Sequence, residues 1–287
     1  MTQPHASEIL VTGVARDVAT TIIGDIERLR DALRQFKRVH WLIIESDSAD
    51  ETAAVLADLS QRVPDFDSLS LGATEADWPE RTNRIANARN QYVHAIRNEP
   101  GYSDVQYVIV ADLDNVNDLV TAQTIETCWS RSDWDVCAAN QQGPYYDIWA
   151  LRHPVWCPGD CHAEAALMRP YLHDPREAAH LAVDARRITL RATADWIPVD
   201  SAFGGLAVYR KDCFEIARYI GWVNGRPVCE HVPFHQTLRA AGKKLFINPA
   251  LINTAYTDHS RYLHPWRQLR KTLKTALGMP GKIHHGP

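Results

Sequence analysis

The chain has no apolar run of membrane-spanning length, no surplus of positive charge and no dense set of cysteines. Its longest apolar stretches are strand-sized, far below the roughly 20 consecutive apolar residues that a spanning helix needs. With 31 Lys and Arg against 35 Asp and Glu, the formal charge is −4. No global basic field therefore invites nucleic acid, and none is expected as a partner. Six cysteines, Cys128, Cys137, Cys157, Cys161, Cys213 and Cys229, are scattered along 287 residues. That is too sparse for a disulfide scaffold and fits a reducing compartment, so a cytoplasmic location is expected. Met1 to Glu8 is polar, and Arg16 and Asp17 interrupt the segment that follows, so no signal peptide is expected. There is no internal repeat and no low-complexity linker. What is present is 45% apolar residues, with nine Trp and ten Tyr. That is ample for a core, and aromatic faces also suit sugar rings.

The organising stretch is Tyr107-Val108-Ile109-Val110-Ala111-Asp112-Leu113-Asp114-Asn115. A β-branched apolar run reads as a fully buried central strand of a parallel sheet. It ends in two carboxylates two residues apart, at the strand end where open α/β sheets bind ligands. Asp112 and Asp114 are the candidate metal ligands: a hard divalent ion takes one or two carboxylates and leaves other positions to phosphate. The competing reading is a solvated turn.

Along the chain, a strand at Glu8–Gly13 precedes a helix over Val18–Phe36, with Asp17 as its expected N-cap. A second strand at Val39–Ile44 precedes a helix from about Asp50 to Leu59. A third strand is expected near Ser68–Leu71, a helix over about Asn83–Arg97, then the Asp112 strand. After it come a helix over Asp118–Trp129 and a strand over Trp134–Ala139. This β-α alternation argues a doubly wound α/β sheet with right-handed crossovers. Beyond Asn140 the pattern becomes aromatic and turn-rich, with an irregular insertion over 153–195. Ser201 to Tyr209 runs into a strand, a helix follows Cys229-Glu230-His231-Val232 up to Ala241, and Lys244–Ile247 is a last short strand. Gly242 is a natural helix stop. No domain boundary shows.

Several residues invite a functional reading beside a structural one. The loop Gly13 to Asp17 lies at a strand end beside a helix start, so its amides can face a nucleotide; Arg16 there suits phosphate or is a solvated loop arginine. Glu45 and Asp47 end the second strand and could accept hydrogen bonds from a base or ribose, or cap the next helix. Gly204-Gly205 permits close backbone approach to a ligand, or simply a tight turn. Cys157-Pro158-Gly159-Asp160-Cys161-His162 groups soft ligands, but no second Cys pair follows at zinc-finger spacing, so ordinary loop cysteines are expected.

The order of these pieces resembles a nucleotide-sugar glycosyltransferase of the GT-A fold, and several segments resemble the fungal capsule-associated α-1,3-mannosyltransferases and their bacterial relatives. The segments are Glu45 to Thr52, Arg84-Ile85-Ala86-Asn87-Ala88-Arg89-Asn90, Val110 to Asp114, Tyr145 to Arg152, Phe203 to Tyr209, and Cys229-Glu230-His231, spanning about residues 8 to 260. The resemblance implies a Rossmann-like, mixed but mainly parallel sheet flanked by helices, in a single domain over 1–260. About 1–140 would bind the nucleotide sugar and about 141–260 the acceptor. It implies a GDP- or UDP-linked donor, with GDP-mannose a candidate, Mn²⁺ or Mg²⁺, and a glycan or lipid-linked saccharide acceptor. It also implies that Arg84 and Arg89 face the donor; five residues apart on a helix they diverge by about 140°, so one is expected to reach the site, Arg89 with Asn90 beside it. His259 is the implied further metal ligand, for which Mn²⁺ is better suited than Mg²⁺. Asp147 is implied in the sugar-binding wall. Glu230 falls where inverting enzymes of this fold keep the catalytic base, whereas in retaining relatives that carboxylate orients the acceptor.

Two further expectations stand. Trp266 to Lys282 is basic, with leucines at four-residue spacing, and reads as a docked terminal helix or one lying on an anionic membrane surface. The alternatives to a transferase are a sugar-phosphate nucleotidyltransferase, whose glycine-rich first loop is missing here, and a non-catalytic carbohydrate-binding protein on a degenerate transferase fold.

Overall fold

A computed structural model describes residues 3–257 and 260. The strands are β1 (Glu8–Ala15), β2 (Arg38–Glu45), β3 (Phe66–Ser70), β4 (Val105–Ala111), β5 (Val136–Gln141), β6 (Ile197–Pro198), β7 (Leu206–Arg210), β8 (Trp222–Val223), β9 (Arg226–Pro227) and β10 (Leu245–Thr254). The helices are α1 (Ile22–Ala32), α2 (Thr52–Arg62), α3 (Arg81–Asn98), α4 (Ala122–Glu126), α5 (Cys161–Met168), α6 (Glu177–Ala182), α7 (Cys213–Ile216) and α8 (His231–Ala240).

Eight strands form one sheet in the order β3-β2-β1-β4-β7-β5-β10-β6. The strands β3, β2, β1 and β4 pair in parallel. β7 runs antiparallel to both β4 and β5, and β10 returns parallel to β5. The sheet is therefore mixed and mainly parallel, as the resemblance implies; the β-α alternation accounts for its parallel half. Alternate residues feed two cores, one on each face: Leu10, Val108 and Val110 on one side, and Ile9, Val11, Tyr107 and Ile109 on the other. Both faces are covered, which is why β1 and β4 read as continuous apolar runs rather than alternating ones.

The chain steps outward from β1 to β2 to β3, then returns through α3 to place β4 on the other side of β1. The carboxyl ends of β1 and β4 thus flank the point where strand order reverses, where a crevice opens in such sheets.

Some local expectations are corrected. The first helix begins at Ile22, not Val18, and Asp17 is not its cap. Asp17 has φ +53° and its carboxylate accepts from the Ala49 amide at 2.7 Å. The helix expected over Asp118–Trp129 shrinks to α4, because Thr121 and Thr124 form a reciprocal capping box that fixes its start at Ala122. The last strand is ten residues long, not four; Asn248-Pro249 sits in an irregularity of register between β10 and β5 that the strand survives. The irregular insertion carries two short helices, α5 and α6. Among the described residues no helix is long and apolar enough to cross a membrane. The basic segment 266–282 and His259 lie outside the described residues.

Candidate active site

A cleft of about 350 Å³ opens at the strand-order reversal. One wall comes from the β1 loop with Arg16 and from Asp47. The floor comes from the β4 end with Asp112 and Asp114, and the far wall from Asp147, Phe203 and Glu230. Residues more than two hundred positions apart meet here because β1, β4 and β7 are neighbours in the sheet.

The Asp112 turn is held from three directions. The Asp112 amide donates to the Gly205 carbonyl at 2.9 Å. The Asn117 side-chain amide donates to the Asp112 carbonyl at 2.7 Å and to the Gly205 carbonyl at 3.2 Å. Asn253, from β10, donates to Asn117 at 2.9 Å and to the Gly204 carbonyl at 2.8 Å, and Gln141 donates to that same carbonyl at 3.1 Å. From the other side α1 grips the turn: Asp25 accepts from the Asn115 amide at 2.9 Å, and Arg28 donates to the Asn115 side chain at 2.8 Å. Asn115 has φ +67°, so the turn is tight. These supporting amides were not singled out from sequence. Scattered Asn and Gln carry no periodic signal, and only the assembled fold shows their common target.

Gly204 and Gly205 have φ of +71° and +84°. A Cβ on Gly205 would sit 2.5 Å from Val116 Cγ1 and 2.7 Å from the Tyr146 hydroxyl. The pair is therefore required for close approach of the β7 start to the Asp112 turn.

Charge is unevenly balanced here. Burial pushes the Asp112 carboxyl up from its ordinary range; Arg89 pulls it back, and Asp114, Asp147 and Glu230 push it further up. Arg89 is itself buried and engaged. Its Nε donates to Glu230 Oε1 at 2.9 Å, its Nη2 lies 3.5 Å from Asp112, and its guanidinium lies 5.5 Å and 5.6 Å from the Phe203 and Tyr219 ring centres. Burial opposes that charge, but Tyr92, Glu230, Tyr219 and Asp112 outweigh it and hold the Arg89 pKa well above normal.

The expectation that only one of Arg84 and Arg89 reaches the site is corrected: both line the cleft. The long side chain of Arg84 folds back to donate to the Trp78 and Pro79 carbonyls at 3.0 and 2.8 Å, bringing it within 3.9 Å of Asp47. Asn90 is instead a brace, exchanging two hydrogen bonds with the Tyr219 backbone. Arg81, at the start of α3, is an exposed cleft residue that sequence reading passed over.

Glu45 does not line the cleft. It is buried, and its oxygens accept from the Ser48 amide and the Ser70 hydroxyl. Asp47 does line it, at φ +59°, and accepts from the Thr74 amide and hydroxyl, each at 2.6 Å, and from the Glu75 amide. Burial works against its charge, but the Thr74 bonds lead in lowering its pKa overall. Asp147 accepts from the Gly204 amide at 2.9 Å.

The donor set fits a hard divalent ion. Asp112 and Asp114 supply carboxylate oxygens at the mouth of β4, amid like charges that a cation would offset. Among the described residues no three His, Cys, Asp or Glu side chains converge to hold a metal. Two carboxylates, with phosphate and water completing the shell, is the pattern of Mg²⁺- and Mn²⁺-type sites rather than of a closed structural zinc. The Cys157–His162 segment forms no such cluster either. Its Asp160 caps α5, accepting from the Ala163 amide at 2.9 Å, and all six cysteines are free and buried.

No family model matches the sequence, and no curated protein matches it. Solved structures of similar shape include a mannosyltransferase from Pyrobaculum calidifontis in complex with GDP-Man and Mn²⁺, at 14% identity and a TM-score of 0.49. That match covers 99% of this chain and 66% of that one. Glucosyl-3-phosphoglycerate synthase from Mycobacterium tuberculosis, in complex with uridine diphosphate, is 13% identical with a TM-score of 0.43, covering 96% of this chain and 82% of that one. Residues 1–349 of TarS from S. aureus are 9% identical with a TM-score of 0.46, covering 86% and 60%.

Proposed function

We propose that this chain is a metal-dependent glycosyltransferase of GT-A type. It moves a hexose, with mannose from GDP-mannose the first candidate, from a nucleotide sugar to a glycan or lipid-linked saccharide. One observation carries the reading. A single cleft at the strand-order reversal joins a carboxylate pair at the end of a central strand to a second carboxylate pair, Asp147 and Glu230, on the opposite wall.

Asp112 and Asp114 would hold Mn²⁺ or Mg²⁺, which when bound offsets charge developing on the leaving nucleoside diphosphate. Arg16, half exposed, and Arg81 supply guanidinium groups to the phosphates. Asp47 ties down the Thr74 loop that borders the nucleotide end. Asp147, fixed by the Gly204 amide, accepts from sugar hydroxyls. Glu230 is anchored through Oε1 by Arg89, which leaves Oε2 to receive the proton of the acceptor hydroxyl. Scattered free thiols suit a cytoplasmic home for this chemistry.

The nucleotidyltransferase reading is weaker. Gly13 is used for packing: a Cβ there would lie 2.3 Å from the Ala111 carbonyl oxygen. The β1 loop carries no other glycine to cradle a triphosphate.

The test is release of hexose from GDP-mannose and UDP-glucose, with and without Mn²⁺. Metal-dependent turnover supports the transferase. Absence of turnover with all sugar nucleotides points to a binding protein, and a requirement for pyrophosphate or a nucleoside triphosphate points to a nucleotidyltransferase.

A further inference from the structure

We infer that the imidazole of His231 hydrogen-bonds a hydroxyl of a pyranose ring seated at the aromatic end of the cleft. The inference rests on the transferase reading and adds to it a sugar-recognition residue.

His231 opens α8, directly after Glu230. Its ring stacks on Phe203, with centres 4.0 Å apart and planes at 19°, and meets Tyr219 edge-on at 5.6 Å. The residue is 2% exposed, yet it borders the cleft. Neither ring nitrogen has a hydrogen-bond partner among the described residues. The nearest acidic oxygen, Glu230 Oε1, is 3.7 Å from Nε2, beyond hydrogen-bond range, and is already taken by Arg89. Buried polar atoms are nearly always paired, so an unpaired, enclosed ring in the lining of a cleft marks a place where something else completes the bonding.

The chemistry of that partner follows from the surroundings. Burial, with Arg89 and His235 nearby, keeps the imidazole neutral. A neutral imidazole offers one donor and one acceptor; a hydroxyl can pair with either nitrogen, whereas a phosphate can pair only with the donor and an ammonium group only with the acceptor. Phe203, against which the ring stacks, lines the cleft together with Trp149, Tyr146, Asp147 and Glu230. Apolar ring faces with neutral and anionic acceptors at the rim suit a pyranose.

The test compares wild type with His231→Phe, which keeps the stack on Phe203 and removes both nitrogens, and with His231→Asn, which restores a donor and an acceptor. Should the Phe ring fail to pack, His231→Met serves as the apolar variant. Binding of GDP, UDP, GDP-mannose and UDP-glucose with Mn²⁺ is measured by calorimetry, and transfer to methyl α-mannoside by KM and kcat. For the apolar variant, nucleoside diphosphate binding stays within twofold of wild type. If the hydroxyl belongs to the donor, nucleotide-sugar binding weakens about tenfold, as for one lost hydrogen bond. If it belongs to the acceptor, nucleotide-sugar binding is unchanged and KM for the mannoside rises by about the same factor. His231→Asn recovers part of either loss. Unchanged sugar binding and unchanged KM in the apolar variant overturn the inference and leave the transferase reading standing. A wild-type chain that binds no nucleoside diphosphate overturns the transferase reading, and this inference with it.

Discussion

Arg89 Nε donates to Glu230 Oε1 at 2.9 Å, joining the middle of α3 to the residue that precedes α8. The same guanidinium reaches Asp112 at 3.5 Å. One buried cation therefore stands between the end of the central strand and the carboxylate on the opposite wall. It holds the two halves of the cleft in register and offsets part of their negative charge.

Removing that cation should cost more than removing either anion. Arg89→Met strands the buried Glu230 and takes the cation from half-buried Asp112; breaking the buried Arg89–Glu230 pair should cost about 3–5 kcal/mol. Thermal denaturation should show a marked fall in Tm, with a smaller fall for Arg89→Lys, which keeps charge but loses the fork. Adding Glu230→Gln to Arg89→Met should recover part of the loss, and a double-mutant cycle measures that coupling.

Glu230→Gln alone separates binding from chemistry. The amide oxygen can still accept from Arg89, so the fold and nucleoside diphosphate affinity should persist. Transfer should fall by roughly 10²–10⁴, the range for loss of a general base. Wild-type transfer by this variant would remove Glu230 from the reaction.

Asp114→Ala tests the metal. Asp114 is exposed at the end of the β4 turn, so its loss should leave the metal-free Tm nearly unchanged. Wild type with Mn²⁺ and GDP at about 100 times Kd should gain about 2.7 kcal/mol by mass action. The variant should gain little of this, and a full Mn²⁺-dependent shift would count against the Asp112–Asp114 site.

Much of this site could be read before the fold was known, and the reason is physical. Asp112 and Asp114 follow an apolar run whose both-sided burial is written in Val108 to Ala111. Glu230 precedes a helix with clear periodicity. What could not be read depends on pairing across sequence distance. Nothing local tells that Asn253 on β10 reaches the Gly204 carbonyl, because β10 comes into range only through the antiparallel insertion of β7 between β4 and β5. Glu45 looks like a ligand-facing carboxylate from its place at a strand end. The neighbouring β3 supplies the Ser70 that occupies it. Arg89 reads as a phosphate fork; Tyr92 is its neighbour on the helix, but its two carboxylate partners are 23 and 141 positions away, beyond any helical window.

Acid should unfold the protein through its buried histidines. His235 is fully buried between the Ser201 and Tyr209 hydroxyls, each 2.9 Å away, and burial pushes its pKa down to about 3. His231 is also held well below its usual value by burial. The unfolded chain takes up these protons near pH 6.5 and the folded chain does not. The stability these two groups support is thus present above pH 6.5 and is lost as pH falls from there toward 3. Each histidine contributes up to about 1.4 kcal/mol per pH unit in that window. The raised Asp112 and Asp25 carboxyls act in the opposite sense over this range, so the histidine part is read as a difference: urea denaturation from pH 7 to 4 should show wild type losing more stability toward low pH than His235→Gln, and identical pH dependence in the two would refute it.

The grip of α1 on the Asp114 turn should matter more for metal binding than for folding. Asp25 is fully buried and accepts from the Asn115 amide next to Asp114. Burial raises its pKa, against the lowering pull of the Asn115 amide and Arg28, so the folded chain gives up this proton later than the unfolded chain. Its ionisation therefore draws stability down as pH rises through the folded-state pKa. Asp25→Asn removes that cost and keeps an oxygen for the Asn115 amide, so its metal-free Tm should equal or exceed that of wild type at pH 8. Asp25→Ala removes the acceptor as well and frees the turn that aims Asp114. Groups that orient a metal ligand typically carry about 10–100-fold in metal affinity. Mn²⁺ titration in the presence of GDP should show a loss of that size for Asp25→Ala, and little or none for Asp25→Asn. Equal Mn²⁺ affinity in wild type and Asp25→Ala would mean that the turn keeps its shape without α1, and that Asn117 and Asn253 suffice to hold it.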